Sequence, residues 1–294
     1  MKKEQIKIAV VGDVHEHWQE EDEEALLNLG VDLVLFVGDL GNESIPVVTK
    51  IAKLSIPKAV ILGNHDAWFS ATDFGRKKCP YNRTLEDRVQ QQLDLLGNCH
   101  VGYSKLDFPQ WYISIVGSRP FSWGGSQWRC EDFYRQRYGI NNFQESTAKI
   151  MAQVEQTTTN NLIFIGHNGP SGLGANPEDM CGKDWHPLGG DFGDPDLQNA
   201  IALSRELGKK VIFVTFGHMH HDLRYTKTIL RKMIKQDEQK TIYLNAASTP
   251  RIKQFNGETV HNFSLINLQK NEVKSINLVW VNRQGKIIIQ YNLY

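Results

Sequence analysis

The sequence predicts an α/β fold built on parallel strands. Three apolar runs of strand length, at residues 6–11, 31–37 and 59–62, alternate with two helical segments. The first helix begins at the acidic cluster of residues 20–24, which complements the helix dipole, and the second spans about residues 46–54. Strands that are apolar on both faces are typical of buried parallel sheets. Short links between them imply right-handed crossovers.

The rest of the chain continues this alternation and contains two irregular inserts, at about residues 117–140 and 168–196. The second insert is rich in Gly, Pro and Asp, and a structureless loop of that length is usually functional. No repeat or linker divides the chain, so we expect a single domain spanning residues 1–294. The remaining predicted elements are helices at about 84–96, 139–156 and 197–207, strands at 101–104, 111–116, 162–165 and 210–216, and strands from about 241 with a hairpin turn at 283–285.

Composition excludes several classes of protein. The chain of 294 residues is long enough to bury a large core. Its 33 basic and 33 acidic residues balance, so no net field draws it to nucleic acid or to an anionic membrane. No apolar run approaches the roughly 20 residues of a membrane span. The first residues lack the apolar region of a signal peptide, and the four cysteines form no CxxC pair, so we expect a cytoplasmic protein.

Five of the predicted strands end in polar motifs that supply oxygen and imidazole donors and no thiolate. In α/β sheets, ligands bind at the carboxyl ends of strands. Such a donor set suits manganese, iron or zinc. One motif alone is more often a turn or capping residue, but five in this order indicate a metal centre. The motifs are Gly12-Asp13-Val14-His15, Gly38-Asp39, Gly63-Asn64-His65-Asp66, Gly166-His167 and Gly217-His218-Met219-His220.

This set of motifs resembles the signature of the calcineurin-like metallophosphoesterase superfamily, from residue 12 to residue 220 with no motif missing. The resemblance implies a four-layer αββα sandwich of two mixed β-sheets flanked by helices, with a dinuclear centre at the sheet edges. His65 matches the histidine that contacts the phosphoryl oxygen or protonates the leaving group, and Asp66 matches its orienting partner. By position, the first divalent metal ion would be held by Asp13, His15, Asp39 and His220, and the second by Asp39, Asn64, His167 and His218, with Asp39 bridging.

The chemistry of such a centre agrees with phosphoester hydrolysis. Two divalent ions next to the carboxylates of Asp13 and Asp39 leave an excess of about two positive charges, the right sign for a phosphate ester and a hydroxide. Two metals can lower the pKa of a bridging water and clamp the phosphoryl oxygens, and His65 is the expected general acid. The predicted function is metal-dependent hydrolysis of a small phosphomonoester, phosphodiester or nucleotide pyrophosphate through a metal-bridged hydroxide.

The variable segments are expected to select the substrate. Protein serine/threonine phosphatases of the superfamily carry Gly-Asp-x-x-Asp-Arg-Gly, but residues 38–44 here lack that arginine, which favours the small-molecule branch. Arg119, Trp123 and Arg129 are the candidate substrate contacts, because aromatic rings stack on a base or cover an apolar alcohol and arginines grip a second phosphate. Packing of the inserts onto the sandwich is the alternative role for these residues.

Three other interpretations remain open at this point. A nuclease for single-stranded nucleic acid would use the same centre and the basic run of residues 224–235. A non-catalytic scaffold could retain the fold, although such a protein would be expected to have lost ligands. An additional metal site could form around His186 with Asp184, Asp191 and Asp194. In the leading interpretation the partner is a small phosphorylated substrate, and binding to a membrane or to nucleic acid is not expected. The sequence leaves the oligomeric state open.

Overall fold

The computed structural model describes residues 5–227 and 229–294 and contains two β-sheets. The strands of these residues are β1 (Gln5–Val11), β2 (Leu33–Val37), β3 (Lys58–Ile61), β4 (Lys105–Phe108), β5 (Ile113–Gly117), β6 (Asn161–Ile165), β7 (Lys210–Phe216), β8 (Ile234–Gln236), β9 (Ile242–Asn245), β10 (Ile252–Phe255), β11 (Glu258–Gln269), β12 (Glu272–Val281) and β13 (Ile287–Asn292). The α-helices are α1 (Glu20–Asn28), α2 (Ile45–Lys53), α3 (Trp68–Ala71), α4 (Asp73–Lys77), α5 (Arg88–Leu96), α6 (Glu131–Tyr138), α7 (Phe143–Glu155) and α8 (Pro195–Glu206).

Both sheets are mixed, as expected. The first has the order β13-β12-β11-β1-β2-β3, with β10 paired to β11. Its strands β1, β2 and β3 are parallel, while β11 runs antiparallel to β1. The second has the order β4-β5-β6-β7-β9-β8, in which the four central strands are parallel and the two edge strands antiparallel. Both sheets therefore contain parallel strands, whose carboxyl ends are the positions where ligands bind in α/β folds.

The alternation of side chains along each strand divides the core into layers. On β2, Leu33 and Leu35 face the second sheet, whereas Val34 and Phe36 face the helices on the outside of the first sheet. Both sets are fully buried, which is why the strand is apolar at every position. A third cluster packs helices α7 and α8 on the outside of the second sheet. This arrangement confirms the four-layer αββα sandwich.

Most predicted elements are present, with two corrections. Residues 101–104 form a turn, in which Ser104 N donates to Val101 O, and the edge strand β4 begins only at Lys105. Helix α6 occupies part of the first insert, because Phe133 and Tyr134 bury themselves against the sandwich. The second insert contains no helix or regular strand before α8, and the predicted hairpin turn lies between β12 and β13. The single domain of residues 1–294 stays a prediction.

None of the helices in the described residues combines the length and the apolar character that a membrane span requires.

Candidate metal centre

The polar motifs of the sequence meet at one edge of the sandwich. Asp13, Asp39 and Asn64 follow strands β1, β2 and β3 of the first sheet, and His167 and His218 follow β6 and β7 of the second. Because the parallel strands of the two packed sheets end on the same side, side chains separated by two hundred residues become neighbours.

One group of donors lies around His15. Its Nε2 atom is 3.1 Å from Nε2 of His220 and 3.9 Å from Oδ2 of Asp39. Nε2 of His220 lies 3.8 Å from Oδ1 of Asp13. Two ligands that each lie about 2.0–2.1 Å from one ion can be at most about 4.2 Å apart. These separations satisfy that limit, so Asp13, His15 and His220 fit one divalent cation.

A second group lies around His167. Its Nε2 atom is 2.8 Å from Oδ1 of Asn64, 3.2 Å from Oδ1 of Asp39 and 3.2 Å from Nδ1 of His218. These distances satisfy the same limit for a shared ion. The carboxylate of Asp39 thus has one oxygen towards the His15 group and the other towards the His167 group. The seven predicted ligands are all brought together by the fold.

Backbone groups fix the orientation of these donors. The imidazole Nδ1–H of His167 donates a hydrogen bond of 2.9 Å to the carbonyl oxygen of Val37, which leaves Nε2 free to act as a ligand. The backbone N–H of His218 donates to both carboxylate oxygens of Asp13 at 3.1 Å. The backbone N–H of His65 donates to Oδ1 of Asp39 at 2.9 Å. The donor atoms are therefore preorganised.

The electrostatics of the cluster favour the protonation states that bind metals. Burial lowers the pKa of His15 to about 4 and that of His218 to about 3, so both rings are neutral at pH 7. Burial would raise the pKa of Asp39, but the surrounding histidines, first His167, lower it to about 2. Burial and the nearby charge of Asp39 raise the pKa of Asp13. A cation between these two carboxylates relieves their repulsion, and this donor set fits divalent metal ions.

His65 lies beside these groups and has a partner that the sequence analysis missed. Its Nδ1 atom is 2.7 Å from Oδ1 of Asn42, and its ring stacks on Trp68 with a centroid distance of 4.9 Å. A ring nitrogen of His65 also lies within 4.8 Å of the donor atoms of His15 and Asp39. Asn42 occupies the position of the second Asp in the Gly-Asp-x-x-Asp pattern. This position in the sequence could have identified Asn42 as the partner of His65.

The expectation that Asp66 orients His65 is wrong. The carboxylate of Asp66 is fully buried and accepts hydrogen bonds from the backbone N–H groups of Gly63, Gly41 and Leu40, at 2.7, 3.1 and 3.3 Å. His65 and Asp66 begin a short 3₁₀ turn, in which neighbouring side chains point to different sides. Burial, and next the charge of Asp39, raise the pKa of Asp66. Through these hydrogen bonds Asp66 instead holds together the loops that follow β2 and β3.

Two of the three candidate substrate contacts lie at the centre, and one does not. Trp123 and Arg129 line a cavity of about 590 Å³ that also contains His15, His65 and His220. Arg119 was expected to contact substrate, and that expectation is wrong. Its buried guanidinium donates to the carboxylates of Asp194 and Asp196, at 2.8 Å each. Arg119 therefore ties the first insert to the start of α8.

The other charged stretches of the sequence have internal partners. The carboxylates grouped with His186 do not converge, since Asp194 binds Arg119 and Asp184 accepts from the backbone of Arg224. Throughout residues 5–227 and 229–294, possible metal-ligand clusters occur only at the centre described above. In the basic run, Arg231 is buried and donates to backbone carbonyls, and Lys232 pairs with Asp179. Residue 228 of that run lies outside the described residues.

The comparisons with known proteins agree with this geometry. The family model described as calcineurin-like phosphoesterase matches residues 6–222, which is most of the chain. Similar solved structures include GAP50, the anchor in the inner membrane complex of Plasmodium, at 11% identity and a TM-score of 0.50, covering 99% of this chain and 89% of that one. They also include PhoD, at 10% identity and a TM-score of 0.50, covering 99% of this chain and 69% of that one.

At such low identity the two structures support the fold alone. No curated protein matches the sequence. The family model covers all five motifs, and the fold brings their ligand atoms together in the way a family of divalent-metal enzymes requires. The chain therefore belongs to the calcineurin-like phosphoesterase family and is a metal-dependent phosphoester hydrolase.

Proposed function

We propose that the protein hydrolyses a phosphate ester of a small molecule with two divalent metal ions that share Asp39. The observation that carries this proposal is the position of the Asp39 carboxylate, whose two oxygens face separate sets of donors. In this proposal one ion is held by Asp13, His15, Asp39 and His220, and the other by Asp39, Asn64, His167 and His218. Manganese, iron and zinc all suit such ligands.

When bound, such a pair of ions supplies an activated water and stabilises negative charge on the phosphoryl group. The protein supplies the proton for the leaving group. Because Oδ1 of Asn42 can only accept, Nδ1 of His65 carries a proton. The imidazolium form of the ring, with its second proton on Nε2, would donate that proton to the departing oxygen and leave the neutral ring. The stacked indole of Trp68 holds the imidazole plane against rotation.

The size of the cavity and the pattern of charges support a small-molecule substrate. A volume of about 590 Å³ falls within the range of small-molecule sites. Segment 38–44 lacks the arginine of the protein phosphatases, and Trp123 and Arg129 supply the variable contacts. A phosphomonoester, a phosphodiester and a nucleotide pyrophosphate all remain within this class. The nuclease alternative has less support, since Arg231 and Lys232 of the basic run are engaged within the protein.

The test is hydrolysis of p-nitrophenyl and bis-p-nitrophenyl phosphate by purified protein loaded with manganese. We expect Asp39→Asn to lower turnover at least about 100-fold, because the shared carboxylate is lost. The matched control is Asp94→Asn, a change at an exposed carboxylate on α5 whose side chain accepts from Gln90, and it should retain full activity. Equal turnover by wild type and Asp39→Asn would contradict the proposal.

A measurement of bound metal separates the enzyme from a scaffold that kept the fold. We expect about two manganese ions per chain in wild type and in Asp94→Asn, and fewer in Asp39→Asn. Fewer than about one ion per chain in manganese-loaded wild type would instead favour the non-catalytic scaffold.

A further inference from the structure

Aromatic side chains from both inserts line the cavity above the metal centre. Trp123 comes from the first insert, and Trp185 and Phe192 come from the second. The rings of Trp185 and Phe192 pack edge to face, with centroids 4.7 Å apart. Trp123 lies 5.3 Å from Trp68, which in turn stacks on His65. A row of rings thus leads from the proposed proton donor into the wall of the cavity.

Hydrogen bonds between the inserts hold this wall in place. The hydroxyl of Ser122, next to Trp123, donates to Oδ1 of Asp194 at 2.7 Å. The carbonyl of Phe192 accepts from the backbone of Gly125 and from the side chain of Asn168, at 2.8 Å each. The aromatic side chains are therefore positioned before any ligand binds, which lowers the entropy cost of binding.

The rim of the cavity also offers positive charge. At the mouth of the cavity Arg129 is exposed, with its guanidinium 5.7 Å from the centroid of Phe192, and Arg224 lies on the same rim. Arg231, which also lines the cavity, pairs with Asp184. Among the described residues no ion pair involves Arg129 or Arg224.

We propose that Trp123, Trp185 and Phe192 form a subsite for a planar heteroaromatic ring carried by the substrate. This inference rests on the proposed phosphoesterase function and narrows its substrates to esters of the nucleotide type. The rings provide stacking surface, and the arginines contact a further anionic group. A sugar phosphate without a base uses none of the stacking surface.

The test compares two ligands that differ only in the base. AMP and ribose 5-phosphate carry the same phosphate ester, and their dissociation constants are measured by calorimetry with manganese-loaded protein. We expect wild type to bind AMP at least about tenfold more tightly, since stacking of one base on aromatic side chains supplies a factor of that order. Trp123→Leu and Trp185→Leu should each reduce this ratio towards one, and Trp123→Phe should reduce it partly.

Trp111→Leu is the control for the loss of a tryptophan. Trp111 stacks on Phe108 beside strand β4 and is not among the residues that line this cavity, so the ratio should stay at its wild-type value. Circular dichroism checks the folding of each variant. If Trp123→Leu does not fold, Trp185→Leu decides the test, because its side chain is only partly buried.

Equal affinities of wild type for AMP and ribose 5-phosphate would overturn the subsite. So would a preference for AMP that survives in both leucine variants, or the absence of measurable binding of either ligand. Failure of the proposed function has a different signature, because Asp39→Asn would then hydrolyse p-nitrophenyl phosphate as fast as wild type while the preference for AMP persists.

Discussion

Replacing Arg119 by leucine should destabilise the protein strongly. Arg119 is 3% exposed, and its guanidinium pairs with two carboxylates that are fully buried. Removal of one partner from a buried ion pair costs about 3–5 kcal/mol, since the remaining charge is left uncompensated. In the variant, Asp194 and Asp196 would keep the hydroxyl hydrogen bonds from Ser122 and Ser146, and neutral hydroxyls do not compensate the two negative charges. We therefore expect the free energy of unfolding to fall by about 3–5 kcal/mol, a large part of the total of a typical protein.

The assay is urea unfolding followed by circular dichroism at pH 7. Arg135→Leu on α6 is the matched control, because Arg135 also pairs with two carboxylates, Glu131 and Asp132, but is about half exposed. Exposed pairs contribute about 0–1 kcal/mol, so this variant should unfold nearly as wild type does. A loss below about 1 kcal/mol for Arg119→Leu, or equal losses for the two variants, would refute the structural role that we assign to Arg119.

Three further predictions concern other buried groups. Gly63→Ala should weaken manganese binding more than tenfold by calorimetry, because its Cβ would collide with the carboxylate of Asp39. Asp66→Ala should lower the free energy of unfolding by about 3 kcal/mol or more in urea titrations, since three buried N–H groups lose their acceptor. Burial raises the pKa of Asp194 from 3.8 to about 6, so the native state binds its proton more tightly than the unfolded chain. Its contribution to stability therefore falls as the pH rises from about 4 to about 6, and Asp194→Asn should remove this decrease. Unchanged metal affinity, unchanged stability or an unchanged pH slope, respectively, would contradict these three expectations.

The strands that carry the centre could be predicted because their signal is local. Strands β1, β2, β3, β6 and β7 are mostly apolar, and the segment around each strand stops at a glycine followed by a donor. The convergence of their ends from two different sheets could not be predicted from periodicity, because no local pattern states which sheet a strand joins. The resemblance to a family supplied that information.

Helix α6 and the edge strand β4 show where local patterns fail. The segment Glu131–Tyr138 is mostly polar and charged and gives only a weak apolar stripe, so it resembles a loop. It is helical because Phe133 and Tyr134 find buried positions against other aromatic rings, such as Phe121 and Trp128. The strand expected at 101–104 is a turn because Val101 instead pairs with the carbonyl of Val60. Tertiary contacts decide both cases.

The roles assigned to Asp66 and Arg119 failed for a related reason. Their residue types indicated a charged site, but the direction of a side chain depends on the backbone around it. Asp66 turns away from His65 because three backbone N–H groups of neighbouring loops face its carboxylate. Arg119 turns inward because α8 begins at residue 195, where Asp194 and Asp196 meet it. The sequence separation from Arg119 to these partners exceeds 70 residues, beyond the reach of a local motif.

The backbone at the centre gives a reason, independent of the motifs, to regard it as functional. Asp13, His15, Asp39 and His218 all have positive φ, at 46°, 44°, 49° and 67°. Residues other than glycine seldom adopt this region, and each such residue costs on the order of 1 kcal/mol. A fold that needed only tight turns after its strands could place glycine at these positions and avoid that cost. Four carboxylate or imidazole side chains retained there, with their donor atoms within reach of shared ions, indicate that the chemistry of the side chains outweighs the strain of the backbone.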